Sequence, residues 1–308
     1  MTVRVMTWNV RYFAHRLKGL ASTRASKRAI AAAVAGLPAL PDVIALQEVE
    51  TRSIRSRASR MAGPAETQLD VFMRHLGEAM TAAGREQPYE PLYFPAHVYR
   101  LGRVTFYTTG LAVLVNRTTL TTLEHNGDEP HPITHHRNER LRGVKQTRIA
   151  AHVTLATKAG RRLHLVNTHL SLPTAWAPEF WRQERKMGFG VNQLEEAKAV
   201  VEFAVRRAGG EPVLVLGDFN SSPASPVYEY VTGHAHFTGA QQALGLIDAT
   251  RPDSFFTAGF MAMRMHLDHV FGQGVTFTDM EGTLPFGDAR SPFSGLSDHS
   301  PLVTRVDW

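Results

Sequence analysis

The chain has 308 residues, of which 43% are hydrophobic and 20% are charged, and none is cysteine. This composition indicates a globular protein and excludes disulfide bonds, a cysteine nucleophile and cysteine-ligated zinc. The formal net charge of +6 favours negatively charged partners such as nucleic acid or anionic lipid surfaces, although many basic proteins bind neither.

The N-terminal residues MTVRVMTWNV show strand-like alternation and lack the apolar core and cleavage site of a signal peptide. The chain also lacks a run of about 18–20 apolar residues, the length that a membrane span requires. We therefore expect a cytoplasmic protein without stable membrane insertion. Secretion stays open if a leader was removed.

Apolar periodicity predicts alternating strands and helices in the first half of the chain. The predicted strands are 3–10, 42–48, 93–99 and 110–115, and the predicted helices are 24–35 and 68–83. A basic, Ser/Arg-rich loop is predicted over 51–64 and a second loop, rich in His and Pro, over 125–142.

The second half continues with strands at 146–154, 162–168, 213–216, 267–271 and 301–306, and helices at 194–207 and 226–232. An irregular aromatic stretch covers 172–189. The order lacks the strict βαβ rhythm of a parallel sheet, which favours an α/β sandwich of mixed or antiparallel sheets covered by helices. Because no linker divides the chain, we expect residues 1–308 to form a single domain.

Polar residues recur where predicted apolar strands end. Each instance alone is more typical of a turn than of a catalytic site. Together they supply hard oxygen ligands suited to Mg²⁺, Mn²⁺ or Ca²⁺, and histidines paired with acids, as phosphoester cleavage requires. The segments are Thr7–Asn9, Leu46–Glu48, Asn167–Leu170, Gly217–Asn220, Leu267–His269 and Ser297–His299.

The ordered series WN, LQE, NTHL, GDFN, LDH and SDHSPL resembles the motifs of the endonuclease/exonuclease/phosphatase family, from Asn9 to His299. The resemblance implies a four-layer α/β sandwich with two packed mixed β-sheets flanked by helices. It also implies a divalent-metal-dependent phosphoesterase that uses Mg²⁺ or Mn²⁺, with Ca²⁺ as an alternative. The expected reaction is in-line attack of an activated water on phosphorus.

The resemblance also implies roles for individual residues. Glu48, Asn9 and Asp298 match the metal site, and Asn9 could instead contact the scissile phosphate. Asp218 would orient or deprotonate the attacking water, while Asn220 would donate to a phosphate oxygen. His299 would lie against the scissile phosphate with its tautomer fixed by Asp268, and His169 would stabilise the transition state or assist the leaving group.

Several further positions carry open alternatives. Arg148 matches a basic position of the family, where a phosphate contact and a surface ion pair are equally plausible. Either Tyr107 or Thr108 could face the site. His269 should face away from Asp268, because adjacent residues of a strand point to opposite sides. The pair His135–His136 fits a solvated loop better than a metal site.

Three features bear on the substrate. The loop 51–60 carries four arginines suited to phosphate backbones, unless it is merely solvated. The stretch 176–189 mixes aromatic and basic residues that could stack on bases, lie at a membrane interface or pack on themselves. The segment GDFNSSP with VYEY resembles the nuclease and deadenylase branches of the family.

We therefore expect a monomeric nuclease that acts on DNA. The alternatives are a phosphoesterase for phospholipid, sphingomyelin or inositol phosphates, and a catalytically silent nucleic-acid-binding module. The complete set of acids, amides and histidines argues against the silent module, which has no need of Asp218 or His299.

Overall fold

The computed structural model describes residues 2–13, 24–53, 67–101, 104–135, 147–173, 187–248, 251, 254–260, 262–280 and 282–308. Most of the predicted Arg-rich loop, residues 174–186 of the aromatic stretch, and His136 lie outside the described residues. The strand that holds Tyr107 and Thr108 is described in its backbone only at those positions, so the choice between them stays a prediction.

The first sheet brings together both ends of the chain. Its strands are β1 (Thr2–Asn9), β2 (Val43–Ser53), β3 (Tyr89–Leu101), β4 (Val104–Asn116), β14 (Thr276–Asp279) and β15 (Leu302–Asp307). Their order is β14-β15-β1-β2-β4-β3. Strands β1 and β2 are parallel and the other neighbours are antiparallel, so the sheet is mixed.

The second sheet has the order β10-β13-β9-β8-β7-β5, with β6 paired to β7. Here β8 and β9 are the parallel pair. A separate hairpin consists of β11 (Ala258–Phe260) and β12 (Met263–Met265). The strands of the second sheet are β5 (Leu120–His125), β6 (His131–Pro132), β7 (Ile149–Thr157), β8 (Arg162–His169), β9 (Val213–Asp218), β10 (Thr238–Gly239) and β13 (Asp268–Gln273).

The helices lie on the outer faces of the sheets. They are α1 (Arg24–Ala35), α2 (Gln68–Ala82), α3 (Val191–Ala208) and the short α4 (Pro226–Glu229) and α5 (Ala240–Ala243). A capping box formed by Thr67 and Asp70 fixes the start of α2, since each satisfies an amide of the other. Every helix of the described residues is too short or too polar to cross a membrane.

Alternation along β1 shows how the layers form. Val3 and Val5 point into the core between the two sheets, whereas Met6 and Trp8 point into a second core beneath α1 and α2. Successive side chains of a strand face opposite sides, so both faces of this sheet are buried. The predicted four-layer α/β sandwich, with two packed mixed β-sheets flanked by helices, is confirmed.

Buried histidines lie in the second sheet away from the strand ends discussed below. His152 on β7 is fully buried, and its Nε2 lies 2.9 Å from Nδ1 of His164, whose Nε2 lies 2.8 Å from Glu211. Burial, and next the positive charge of Arg207, lower the pKa of His152 to about 4. The folded protein therefore holds His152 in its neutral form at neutral pH.

The low pKa of His152 predicts acid sensitivity. Because the unfolded chain binds a proton near pH 6.5, the stability that neutral His152 contributes is complete above pH 6.5 and is lost as the pH falls towards 4. The free energy of unfolding, measured with urea, should fall between pH 7 and pH 5 in the wild type. In His152→Gln we expect this fall to be smaller by about 2 kcal/mol. Equal losses in both proteins would contradict the buried neutral state.

Candidate active site

The site forms where the carboxyl ends of two parallel strand pairs meet. In the first sheet, Asn9 at the end of β1 is in register with Gln47, which directly precedes Glu48 on β2. In the second sheet, His169 at the end of β8 is in register with Asp218 at the end of β9. Packing of the two sheets places these ends on one edge of the sandwich.

Asp218 occupies the centre of this edge. Its Oδ2 accepts a hydrogen bond of 2.9 Å from Nδ2 of Asn9, which crosses from one sheet to the other. Its Oδ1 accepts the backbone amide of Asn220 at 2.9 Å. Burial raises the pKa of Asp218, and the positive charge of His299 opposes that rise. These bonds leave the carboxylate fixed in orientation.

Asn220 has a backbone φ of 47°, in the left-handed region that residues other than glycine seldom adopt. Its side-chain Nδ2 donates to the carbonyl of Leu170 at 2.9 Å, so one amide proton is committed to the loop after β8. The same nitrogen carries a second amide proton. Asn220 therefore joins the loops that carry His169 and Asp218.

Asp268 and His299 form a hydrogen-bonded pair beside Asp218. Asp268 faces Asp218 across β13 and β9, and its Oδ2 lies 2.8 Å from Nδ1 of His299. Nε2 of His299 points towards Asp218 at 3.7 Å. Burial lowers the pKa of His299, but the carboxylates of Asp268, Asp218 and Asp298 outweigh burial and raise it to about 10. His299 is therefore held as a cation.

Two long-range hydrogen bonds anchor the segment that carries His299. The indole Nε1 of Trp8 donates to the carbonyl of His299 at 2.9 Å. The hydroxyl of Ser297 donates to the carbonyl of Asn9 at 2.7 Å. The WN and SDH motifs thus contact each other, with Trp8 and Ser297 as the anchoring side chains.

Glu48 projects from an irregular point of β2. The pairing of β2 with β4 shifts register between Leu46 and Val49, and Glu48 there has a φ of 55°. Its side chain is 18% exposed, in contrast to the 2% of Asp218. Burial, and next the neighbouring carboxylate of Asp298, raise its pKa to about 7. Such backbone strain is retained where the surrounding structure fixes it, and it is common at functional sites.

Asp298 is paired with a residue that the motifs did not identify. Nη1 of Arg11 lies 2.8 Å from Oδ2 of Asp298, and the backbone amide of Arg11 donates to Oδ1 of Asn9. Arg11 lies in a short helical turn, Arg11–Phe13, whose three residues all have a positive φ. A left-handed turn is usually recognised in a sequence by glycine. Arg11–Phe13 contains none, so the sequence did not predict the turn or the pairing of Arg11 with Asp298.

His169 lies between the two acids. Its Nε2 is 3.5 Å from Oδ2 of Asp218 and 4.0 Å from Oε1 of Glu48. Burial, then the positive charges of Arg148 and His299, place its pKa well below the ordinary value. The two histidines of the candidate site therefore differ, because burial lowers the pKa of His169 whereas the neighbouring carboxylates raise the pKa of His299.

Arg148 lines a small cleft next to His169, together with Thr109, Thr147 and Leu111. Its Nε is buried without a hydrogen-bond partner among the described residues. The guanidinium acts on the pKa of both Glu48 and His169, which places its charge beside the site.

Gly217 is required by the close approach of β8 and β9. A Cβ at this position would lie 2.0 Å from the carbonyl oxygen of Thr168, and the φ of Gly217 is 136°. These values explain the glycine of the GDFN motif, which sequence reasoning treated only as part of a turn. The glycine lets His169 and Asp218 lie side by side.

The structure thus brings together all nine predicted site residues at one edge: Asn9, Glu48, Arg148, His169, Asp218, Asn220, Asp268, Asp298 and His299. His269 is excluded, as expected. It is fully buried, and its Nε2 donates to the carbonyl of Ser221 at 2.7 Å.

A divalent cation fits the chemistry of this edge. The side chains of Glu48 and Asp298 are 18% and 20% exposed. After burial, the negative charge of Asp298 is the next cause that raises the pKa of Glu48. A bound cation would relieve this repulsion between the two carboxylates. Asp218, Asp268 and His299 also offer ligand atoms within 4.8 Å of one another. Each group already holds one protein contact, Asp268 with His299 and Asp298 with Arg11, so an ion at either place would compete with that contact.

The sandwich fold and this set of polar side chains fit a metal-dependent phosphoesterase. The chain belongs to the endonuclease/exonuclease/phosphatase family, whose sequence model matches residues 6–299. The family resemblance expected from the motifs is therefore confirmed. Members are in general divalent-metal-dependent hydrolases of phosphodiester bonds. A comparison with curated proteins gave no match.

Solved structures share the fold at low sequence identity. The catalytic domain of human Nocturnin, with a bound sulfate anion, is 18% identical at a TM-score of 0.62, covering 99% of this chain and 93% of its own. A family protein from Leptotrichia buccalis is 15% identical at a TM-score of 0.66, covering 99% and 100%. Truncated Caenorhabditis elegans TDP2 is 18% identical at a TM-score of 0.57, covering 100% and 98%.

Proposed function

We propose that the protein is a nuclease that hydrolyses phosphodiester bonds of DNA by in-line attack of water. The observation that carries the proposal is the Asp268–His299 pair directed at buried Asp218, at the edge where both sheets end. One copy of the chain, folded as a single domain, would suffice, because every residue invoked comes from the same chain.

In this mechanism Asp218 receives the proton of the attacking water while the water oxygen bonds to phosphorus and the bond between phosphorus and the leaving oxygen breaks. Its orientation is fixed by Asn9 and by the amide of Asn220, so the water is held on one side of the phosphorus. Cationic His299 donates from Nε2 to a non-bridging oxygen as negative charge develops there, and Asp268 holds the ring in place. Asn220 donates its second amide proton to the same phosphate.

His169 acts as a neutral hydrogen-bond donor. Burial lowers its pKa, and its Nε2 lies 3.5 Å from Asp218 and 4.0 Å from Glu48, so we assign it to the leaving oxygen or to a second phosphate oxygen. Glu48 and Asp298, with Asn9 beside them, would hold Mg²⁺ or Mn²⁺. When bound, such an ion neutralises charge on the phosphate and on the leaving oxygen.

Nucleic acid is the preferred substrate on charge. The chain carries +6, and the Arg148 guanidinium lies beside the site with a buried Nε that lacks a partner among the described residues. A DNA contact would use both. Phospholipid, sphingomyelin and inositol phosphates share the same chemical group and are therefore included as arms of the test.

The test is a parallel assay of plasmid DNA, abasic duplex, oligo(A) RNA, sphingomyelin and inositol phosphates, with Mg²⁺ or Mn²⁺ and with EDTA. We expect DNA cleavage that requires the metal and falls steeply as salt is added, because phosphate contacts release counterions. Cleavage of RNA, lipid or inositol phosphate in place of DNA would contradict the proposal that DNA is the substrate. Full activity in EDTA would contradict the proposal that the reaction requires a divalent metal ion.

Glu48→Gln is the matched variant for the metal. It keeps the size of the side chain and removes the charge, so the concentration of Mn²⁺ needed for half-maximal activity should rise about 10- to 100-fold. Thr304→Val serves as the control. It removes a buried hydroxyl of β15 that donates to the carbonyl of Asp279, and it should leave the Mn²⁺ concentration for half-maximal activity unchanged.

A further inference from the structure

Two motif residues, Gln47 and Asn167, take no part in the mechanism above although both lie beside residues that do. Gln47 precedes Glu48 on β2, and Asn167 lies two residues before His169 on β8. Both side chains are fully buried between the two sheets. Buried amides are costly unless they are hydrogen-bonded, so their contacts need an account.

The two side chains bond to each other across the sandwich. Nε2 of Gln47 donates to Oδ1 of Asn167 at 2.8 Å and to the hydroxyl of Thr7 at 3.0 Å. Nδ2 of Asn167 donates to the carbonyls of Leu46 and Ala112 at 3.1 and 3.2 Å. We name this pair of amides, Gln47 and Asn167, the amide clamp.

The hydrogen bonds leave the amide clamp a single arrangement. Asn167 faces two carbonyls of the first sheet, so the atom directed at them must be its nitrogen. Its oxygen is then directed at Gln47, whose facing atom must also be a nitrogen. The clamp therefore specifies both the distance between the sheets and their relative position along the strands.

An apolar core does not provide this precision. The hydrophobic effect is non-directional, so the valines and leucines between the sheets resist separation more than they resist a small slide. Glu48 comes from one sheet and His169 from the other, and Nε2 and Oε1 of these residues lie 4.0 Å apart. A slide of 1 Å would alter that separation directly.

Gln47 also borders the irregular point of β2. Glu48 has a φ of 55° and lies where the register with β4 shifts. A residue in this region relaxes unless its neighbours hold it. The side chain of Gln47, fixed on both Thr7 and Asn167, holds the backbone immediately before Glu48.

We propose that Gln47 and Asn167 are positioning residues whose hydrogen bond across the two sheets holds Glu48 and His169 at the separation that the reaction uses. The proposal rests on the proposed function, since it assigns Glu48 to the metal and His169 to the substrate phosphate. Gln47 and Asn167 would touch neither the metal nor the phosphate. Their effect on kcat can therefore be compared with their effect on stability.

The test variant is Gln47→Met, which keeps the length of the side chain and removes its donor. We expect kcat to fall about 10- to 100-fold, the loss typical of residues that orient metal ligands, with KM changed less than threefold. Binding of Mn²⁺, followed by the electron paramagnetic resonance signal of the free ion, should weaken about tenfold. Gln47→Asn, whose amide is too short to reach Asn167, is the second variant if Gln47→Met does not fold.

Thr304→Val is the matched control. It removes one buried hydrogen bond from the same sheet, so a similar fall in melting temperature is expected, with kcat and Mn²⁺ affinity unchanged. Wild-type kcat and Mn²⁺ affinity in Gln47→Met would overturn the clamp. If the wild type cleaved no phosphoester, the proposed function would fail, while the Mn²⁺ titration would still decide between a positioning role and none.

Discussion

Replacing His299 by alanine should lower kcat for phosphodiester cleavage by about a thousandfold, within the range that a positioned proton donor supplies. The imidazole is the cation directed at the site, held by Asp268 at 2.8 Å. Asp268→Asn should also cause a large loss. An amide at this position removes the carboxylate that raises the pKa of His299, and it can donate to Nδ1, so the imidazole would face the phosphate without its positive charge.

The measurement is single-turnover cleavage of labelled DNA, with melting temperature recorded for each variant. His75→Gln is the control, because His75 is a buried histidine of α2 that contacts Glu78 and lies away from the strand ends. Its rate should equal that of the wild type. If His299→Ala kept more than a tenth of the wild-type rate, the catalytic assignment would be wrong.

The second large effect is expected at Gly217. Alanine there would place a Cβ 2.0 Å from the carbonyl oxygen of Thr168 at a φ of 136°, so β8 and β9 must separate. We expect Gly217→Ala to lower the free energy of unfolding by roughly 3–5 kcal/mol through clash and backbone strain together. Activity should be lost as well, because His169 and Asp218 lie on these two strands.

Gly160→Ala is the comparison that separates the steric clash of the added Cβ from the cost of a positive φ in alanine. Gly160 has a φ of 77° and no atom within 4 Å of the added Cβ, so only the conformational cost of about 1–2 kcal/mol applies. Urea unfolding of both variants gives the comparison. Equal losses at the two positions would contradict the close approach of β8 and β9.

The predicted elements with strong periodicity were confirmed. The helix predicted at 24–35 is α1, and the helix predicted at 68–83 ends one residue earlier, at Ala82. Some strands were longer than predicted: 93–99 extends to Tyr89–Leu101, because pairing with β4 continues past the apolar residues. Propensity identifies a strand, whereas its length depends on a partner.

The elements that were missed have little periodicity of their own. Strand β5 (Leu120–His125) is mostly exposed, and the hairpin β11–β12 has three residues in each strand. The predicted helix 226–232 is α4 followed by a wider turn of π-helix over Tyr230–His234. Such segments adopt their structure from neighbours distant in sequence, which a local pattern does not contain.

The candidate site shows the same division. Acids, amides and histidines were recognised because their order matched a family. Arg11, Gly217 and the anchoring roles of Trp8 and Ser297 were not, since each depends on a contact that folding creates. Trp8 and His299, for example, are 291 residues apart in sequence.

The pairing of β1 with β15 has a consequence for biosynthesis. Thr2 is in register with Asp307, and the segment carrying Asp298 and His299 is held by Trp8 and by the carbonyl of Asn9. During translation, Asn9 and Glu48 leave the ribosome well before His299 does, because they lie far upstream in the sequence. The candidate site would therefore be complete only after the residues of β15 have emerged and paired with β1.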